Sequence, residues 1–281
     1  MIIDTHIHFY DTEREQGVPW PSPESGSIYQ PSMPDRYKAL AEPKGVTGVI
    51  VVEASPWLED NQWILDLAKD EPMVKGFVGN LDPADENFES NLNRFAENPL
   101  FRGIRVNTRG PNSYGSRSLD DCAKMLMERN LSMDLMVRPE ELSELAGFVR
   151  GHSSLRLVVN HTALVLVDGK TPDPVWMEGI NELAECLNVY CKLSGMVECT
   201  AKQPAPTDVN YYRPTIDALV EALGNDRLLY SSNWTPCELY GEYTLTLNIV
   251  REYFKDTGEE VLEKILWKNS KEAYHWEVRN Q

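Results

Sequence analysis

The segment IIDTHIH, residues 2–8, opens the chain with a short apolar run that carries two histidines, His6 and His8. Alternate residues of a β-strand point to the same face, so both imidazoles are expected on one face with Asp4 below them. Buried polar groups need partners, and two histidines on one face are costly if they serve packing alone. The segment therefore predicts a strand that delivers two side chains to a functional site.

Seven further β-branched runs follow this strand, with longer amphipathic segments between them. The predicted strands span residues 2–8, 46–54, 73–81, 101–107, 131–138, 155–161, 188–195 and 226–234. The segments between them have helical spacing, as in DNQWILDLAKD (60–70), or run from proline to glycine, as in PEELSELAGFVRG (139–151). This alternation predicts an α/β fold, a single (β/α)8 TIM barrel over residues 1–281. A doubly wound open sheet competes, but no GxGxxG follows the first strand.

Composition and charge narrow the classes of partner. The chain is 42% hydrophobic and 25% charged, and its net charge of −17 makes nucleic acid and anionic membrane poor partners. No apolar run approaches the roughly 20 residues of a membrane span, and no signal peptide pattern is visible. The five cysteines form no CxxC pair, as expected for reduced thiols. We therefore expect a cytoplasmic protein that acts on a small molecule. Its oligomeric state, monomer or homo-oligomer, stays open.

Two connections are unusually long, residues 9–33 and 196–212. Loops of this length in a compact domain are commonly functional, and on a barrel these two follow strands and would lie at the mouth of the active site. Trp20, Trp57 and Trp234 lie in predicted strand-to-helix loops and could pack on a substrate ring, although ordinary loop packing would also explain them.

Polar side chains lie at the carboxyl ends of several predicted strands, where barrel enzymes carry their active sites. The candidates are Glu53, Arg105, Asn107, His161, Lys192 and Asn233. Structural alternatives remain open for two of them. Arg105 could form a buried ion pair with Asp134 on the adjacent strand, and Lys192 could pair with Glu53 or Asp4.

The ordered set of motifs resembles the amidohydrolase superfamily, and most of all its lactonase-like branch, which includes 2-pyrone-4,6-dicarboxylate lactonase and sugar-acid lactonases such as fuconolactonase. The motifs that carry the resemblance are IDTHIHF (3–9), GFVGNLDP (76–83), FRGIRVN (101–107), LRLVVNHTA (155–163), NVYCKLSG (188–195) and ILWKNSKEAYHW (265–276). The resemblance covers nearly the whole chain. It implies a TIM-barrel hydrolase of carbohydrate metabolism that opens a small lactone.

The resemblance also implies roles for the candidate residues. His6, His8 and His161 would polarise the lactone carbonyl. Arg105 would hold a carboxylate in a bidentate grip, and Asn80 and Asn107 would join Glu53 and the tryptophans in binding substrate. Lys192 or Glu53 would move protons.

One position departs from the family. Where its eighth strand commonly ends in Ser-Asp-Trp, this chain reads SSNW, with Asn233 in place of the aspartate that binds metal or activates water. An amide has no proton affinity near neutrality, so Asn233 cannot be a general base and would only orient water or a ring hydroxyl.

This departure leads us to expect no tightly bound metal and no required cofactor. A binuclear site in this superfamily would need a carbamylated lysine on the fourth strand, which offers Arg105 and Asn107 instead. The alternative is one divalent metal, such as zinc or manganese, held by His6, His8 and His161.

We therefore predict a lactone hydrolase, or a related lactone isomerase, for a small anionic or polyhydroxylated substrate such as a sugar-acid lactone or a cyclic dicarboxylate lactone. The first alternative is a mononuclear metal-dependent amidohydrolase or decarboxylase. The second, from another class, is a small-molecule-binding protein that has lost turnover. Metal analysis separates the lactone hydrolase from the metal-dependent amidohydrolase or decarboxylase. Ligand binding without turnover would favour the binding protein.

Overall fold

The structure, a computed structural model, describes residues 1–107 and 117–279. Its eight strands form one parallel sheet in chain order. They are β1 (Ile3–Ile7), β2 (Gly48–Val52), β3 (Val74–Gly79), β4 (Phe101–Asn107), β5 (Ser132–Met136), β6 (Arg156–Val159), β7 (Val189–Leu193) and β8 (Leu228–Tyr230). Each lies within the segment predicted for it, and the TIM-barrel prediction is confirmed.

Helices follow the strands around the outside of the barrel. They are α1 (Pro34–Ala41), α2 (Leu58–Lys69), α3 (Phe88–Ala96), α4 (Arg117–Glu128), α5 (Leu142–Arg150), α6 (Pro174–Ala184), α7 (Arg213–Leu223), α8 (Leu245–Phe254), α9 (Glu259–Glu263) and α10 (Asn269–Tyr274). Proline at the first position begins α1 and α6, where its missing N–H costs nothing. Within the described ranges, no helix is both long and apolar enough to cross a membrane.

The barrel closes between its last and first strands through a short set of contacts, because β8 has only three residues. Ile7 and Trp234 form a parallel bridge, and the amide of His8 donates to the carbonyl of Trp234 over 2.8 Å. The amide of Ser232 donates to the Asp4 carboxylate, also over 2.8 Å. This closure brings the end of β8 beside His8.

A β-bulge changes the direction of side chains along β1. The register with β2 shifts between Asp4 and Ile7. Asp4 accepts from the hydroxyls of Tyr37 and Tyr243 in the layer outside the strands. His6 instead contacts Lys192 inside the barrel. Our prediction that Asp4 lies below the histidines on the same face is therefore wrong, since the extra residue of a bulge reverses the alternation.

The barrel interior is apolar at one end and polar at the other. The inner apolar layer contains Ile3, Ile50, Val52, Val78, Val158 and Leu229. Tyr274 and Trp276, at the end of the described chain, pack against this layer and close the barrel from below. The open end is therefore the one where the strands finish with polar residues.

Candidate functional site

A cavity of about 560 Å³ lies at the carboxyl ends of the strands, where the active site of a barrel enzyme is expected. The predicted site residues that line it are His8, Trp20, Glu53, Asn80, Arg105, His161 and Asn233. They come from seven different segments of the sequence. The fold thus gathers these side chains in one place, as the strand pattern predicted.

Three imidazoles cluster at the floor of the cavity. The ring centre of His6 lies 5.0 Å from that of His8 and 4.3 Å from that of His161. His6 is fully buried, and its Nε2 has no hydrogen-bond partner among the described residues. A buried polar atom without a partner is costly, which makes this atom a candidate contact for a bound group.

The proton of His8 can be assigned from its neighbours. Its Nδ1 lies 3.0 Å from the carbonyl oxygen of Val52 and 3.1 Å from that of Glu53. Because a carbonyl oxygen can only accept, Nδ1 of the neutral ring carries the proton and Nε2 keeps a lone pair. Nδ1 of His161 forms a hydrogen bond with the Ser194 hydroxyl at 2.8 Å, and a hydroxyl can act there as donor or acceptor.

All three imidazoles are held neutral near pH 7. Burial, and after it the charge of Lys192, keeps the pKa values of His6 and His161 well below the usual range. Burial, and after it the charge of Arg105, lowers the pKa of His8 to about 3. A neutral imidazole is the form that binds a metal ion.

His161 reaches the cavity through an unusual turn of the backbone. The sixth strand was predicted to run to residue 161, but it ends at Val159. The four residues from His161 to Leu164 all have positive φ values, between 49° and 55°. Residues other than glycine rarely adopt this conformation, and several in succession store strain of a kind that clusters at functional sites.

The charged groups pair differently from the two arrangements left open above. Arg105 donates to Oε1 of Glu53 through Nε and Nη2, each over 2.6 Å. Lys192 pairs instead with Asp134 across the barrel, with Nζ 2.6 Å from Oδ2. The predicted Arg105–Asp134 pair is therefore absent from the described residues, because each partner has a closer counter-ion.

Several predicted site residues do not reach the cavity surface. Lys192 is fully buried, with Nζ 3.2 Å from Nδ1 of His6. Trp234 is also fully buried, where it packs against Tyr37 in the outer layer. Trp57 is 40% exposed and is not among the lining residues.

One predicted binding residue cannot be placed. The backbone of Asn107 ends β4, but its side chain lies outside the described part of the chain.

The structure adds one carboxylate that the sequence did not single out, Glu198. It lines the cavity from the loop after β7, and its Oε1 accepts from Nδ2 of Asn233 over 2.8 Å. Burial raises the pKa of Glu198 to about 7. The length of the loop at 196–212 signalled a functional segment, but nothing in its sequence distinguished this glutamate.

The raised pKa of Glu198 predicts a pH-dependent stability. A carboxyl group whose pKa is higher in the folded state stabilises the fold at low pH and loses that contribution as the pH rises through about 7. Cys199, Cys237 and Tyr212 pack near it, and burial raises the pKa of each, so they stay neutral over this range.

Relative to Glu198→Gln, the wild type should lose about 2–3 kcal/mol of unfolding free energy between pH 5 and pH 8. Urea unfolding of both proteins at the two pH values measures this difference. Parallel pH profiles for the two proteins would contradict it.

Known proteins match this chain over most of its length, in sequence and in fold. L-fucono-1,5-lactonase of Burkholderia ambifaria is 29% identical over 245 residues, which cover 86% of this chain and 82% of that protein. An amidohydrolase of Burkholderia multivorans with bound zinc superposes with a TM-score of 0.85 at 22% identity, over 99% of this chain and 100% of the other. At this identity the structural match supports the fold alone.

The metal content of solved neighbours contradicts our prediction that no metal is required. One is the zinc-bound amidohydrolase above. Another is a dihydroxybenzoic acid decarboxylase of a Polaromonas species with bound manganese, at a TM-score of 0.65 and 15% identity, over 98% of this chain and 96% of the other. Asn233 removes one carboxylate ligand, but the three histidines remain, so its presence does not exclude a metal ion.

His8 has the donor chemistry that such an ion needs, because histidines that bind metals commonly donate their other ring N–H to a carbonyl, as His8 does. His6 would first have to carry its proton on Nδ1, since the Lys192 ammonium 3.2 Å from Nδ1 leaves the proton of the neutral ring on the unpartnered Nε2. As placed, no group of three or more His, Cys, Asp or Glu side chains in residues 1–107 and 117–279 is arranged as a metal site. The donor atoms would therefore have to draw together around the ion.

The family match covers almost the whole chain. The family model described as amidohydrolase matches residues 3–276, which include all eight strands and α10. This confirms the resemblance seen in the motifs and the prediction of a hydrolase. The chain belongs to the amidohydrolase family.

Proposed function

We propose that the protein hydrolyses a small lactone of a sugar acid in the cavity at the carboxyl ends of the strands. The cavity volume of about 560 Å³ suits a ligand of this size. A relative that shares 29% of its residues is named L-fucono-1,5-lactonase. The cluster of neutral imidazoles beside polar side chains supports chemistry at a carbonyl group.

The observation that carries the choice of substrate is the ion pair between Arg105 and Glu53. It neutralises the cation that we expected to bind a carboxylate. Lys192, the other cation expected there, is neutralised by Asp134 and buried. A cavity whose nearby described cations are already paired favours hydroxyl groups over a carboxylate, because each paired side chain can still donate or accept hydrogen bonds. We therefore favour a neutral polyhydroxylated lactone over a cyclic dicarboxylate.

In this proposal different cavity residues bind different parts of the substrate. Trp20, whose ring centre lies 5.6 Å from that of His8, packs on the sugar ring. Asn80, Arg105 and Glu53 bind ring hydroxyls. Asn233 orients the attacking water, as the resemblance implies.

The metal ion would be held by His6, His8 and His161. When bound, a divalent ion such as zinc supplies a Lewis acid that polarises the lactone carbonyl. The protein contributes neutral ring nitrogens and the hydrogen bonds that fix the rings. Ser194 holds His161, and two backbone carbonyls hold His8.

A lactone panel with a pH indicator tests this function. It compares neutral sugar-acid lactones of five-membered and six-membered rings with 2-pyrone-4,6-dicarboxylate. We expect the highest kcat/KM for a neutral sugar lactone. A clear preference for the dicarboxylate would overturn the substrate proposal, and absence of turnover on every lactone would overturn the function.

Removal of metal should abolish this activity. Dialysis against a chelator is expected to lower kcat about 100-fold or more, since a Lewis acid contributes several kcal/mol to such a reaction. Added zinc or manganese should restore it, and elemental analysis should find about one ion per chain. Full turnover by protein whose metal is undetectable would refute this role.

Four broader statements stay predictions from the sequence. They are the single domain over residues 1–281, the cytoplasmic location, the place in carbohydrate metabolism and the oligomeric state.

A further inference from the structure

Hydrolysis needs a group that takes a proton from water, and the cavity does not offer one where the family usually has it. Asn233 occupies the position of the usual aspartate, and its amide cannot accept that proton. The imidazoles of His6, His8 and His161 are assigned to the metal ion in the proposed function. A proton acceptor therefore has to come from another side chain.

Two carboxylates line the described part of the cavity, and their surroundings differ. Glu53 is committed to Arg105, which directs both Nε and Nη2 at its Oε1. Glu198 has no cation partner in the described residues. Its Oε1 accepts from Asn233 over 2.8 Å, while its Oε2 is buried without a partner there.

We propose that Glu198 is the general base of the proposed lactone hydrolysis, in the role that the aspartate of β8 has in related enzymes. The proposal rests on the proposed function. Asn233 and Glu198 form a complementary pair, because the amide donates to one carboxylate oxygen and leaves the other without a partner in the described residues. An aspartate at 233 would instead set two carboxylates against each other, and like charges this close cannot both ionise readily. An uncharged amide at position 233 therefore suits a general base at position 198, because it does not oppose ionisation of Glu198.

Backbone hydrogen bonds hold the loop that carries Glu198, both within the loop and to the segment after β6. The amide of Cys199 donates to the carbonyl of Gly195 over 2.9 Å, which forms a turn that encloses Glu198. Beyond it, Val167 donates to Cys199 and receives from Ala201, each over 2.9 Å. A base must be held in reach of its proton, and these three backbone hydrogen bonds provide that constraint.

The electrostatics of the position agree with this geometry. Burial raises the pKa of Glu198 to about 7, close to the value at which a base works best near neutral pH. Cys199, Cys237 and Tyr212 face it from its own loop, from the segment after β8 and from the start of α7. Burial raises the pKa of each of them as well, so none competes for the proton near pH 7.

The reaction balances with this one residue. Oε2 of the Glu198 carboxylate takes a proton from water as the water oxygen bonds to the lactone carbonyl carbon, and the carbonyl π electrons move to its oxygen. The ring C–O bond then breaks as the carbonyl re-forms, and the carboxyl group returns the proton to the departing ring oxygen. The product is the open hydroxy acid, and Glu198 ends as a carboxylate.

Glu198→Gln tests this role with the zinc-loaded protein and the best neutral lactone. We expect kcat to fall by about 10²–10⁴-fold while KM changes only a few-fold. The rise of wild-type kcat/KM with pH, centred near 7, should disappear from the residual activity. Glu198→Asp, which keeps a carboxylate on a shorter side chain, should restore part of kcat and the pH dependence.

Three controls separate a base from a structural residue or a metal ligand. Glu221→Gln, an exposed glutamate on α7, should leave all parameters unchanged. The zinc content of Glu198→Gln should equal that of the wild type. At pH 5, where the wild-type carboxyl is itself protonated, the two proteins should unfold at similar urea concentrations.

Each outcome decides the proposal. Near wild-type kcat in Glu198→Gln would overturn the base assignment and leave lactone hydrolysis intact. Loss of zinc in step with activity would make Glu198 a ligand, which also overturns it. If the wild type turns over no lactone, the proposed function fails, and the base assignment falls with it.

Discussion

Lys192→Met should lower the free energy of unfolding by about 3–5 kcal/mol, which is the loss expected when one partner of a buried ion pair is removed. Lys192 and Asp134 are both fully buried, with 2.6 Å between Nζ and Oδ2. The hydroxyl of Tyr274 donates to the same carboxylate oxygen over 2.8 Å. Methionine has a similar length but no charge, so the substitution would leave the Asp134 carboxylate buried with the hydroxyls of Tyr274 and Ser132 and without its counter-ion. Urea unfolding at neutral pH measures the effect.

A surface pair provides the matched control for this substitution. Lys264 lies 2.8 Å from Asp226, but the two side chains are 31% and 73% exposed. Lys264→Met should therefore cost less than about 1 kcal/mol. The double variant Lys192→Met/Asp134→Asn should recover part of the loss, because it removes the unpaired charge. Equal, small losses for Lys192→Met and Lys264→Met would show that the buried pair does not hold the barrel together.

The fold was predictable because local signals repeat along the chain. Most strands are short apolar runs that contain β-branched residues, and segments such as α5 begin after proline and end at glycine. The alternation of strand and helix can therefore be read without knowledge of contacts. The bulge in β1 was not predictable in this way. It is an irregularity of pairing between β1 and β2, and the sequence of β1 alone alternates regularly through Asp4, His6 and His8.

Seven of the predicted site residues line one cavity, but the pairings of the charged residues were not predictable. Arg105 and Asp134 are direct neighbours in the register of β4 and β5, as the sequence suggested. Yet Asp134 bonds to Lys192 of β7, because side chains from alternate strands share a layer inside a closed barrel. Which side chains meet inside the barrel depends on its three-dimensional geometry. The order of the strands alone does not determine these contacts. Glu198 escaped prediction for a related reason, since it lies in a loop with no periodicity.

Gly195→Ala should have the second large effect, because this residue lets the loop after β7 approach the turn that carries His161. Gly195 has a φ of 73°, a conformation that alanine adopts at a cost of about 1–2 kcal/mol. A methyl group there would overlap Cβ of His161 and lie 2.9 Å from its Cα. Relief of this overlap must move backbone, which typically costs a further 1–3 kcal/mol or so. We therefore expect about 2–5 kcal/mol of lost stability.

The same substitution should impair catalysis more than its cost in stability explains. The overlap would push apart His161 and the loop that holds Glu198, and a displacement of about 1 Å in an active site can cost about 10²-fold in rate. Gly17→Ala is the matched control, because Gly17 has a φ of 69° but nothing lies within 4 Å of the added methyl group. That variant should show the backbone cost alone and keep its kcat. If both alanine variants lose the same stability and both keep full turnover, the close approach at Gly195 does not position the site.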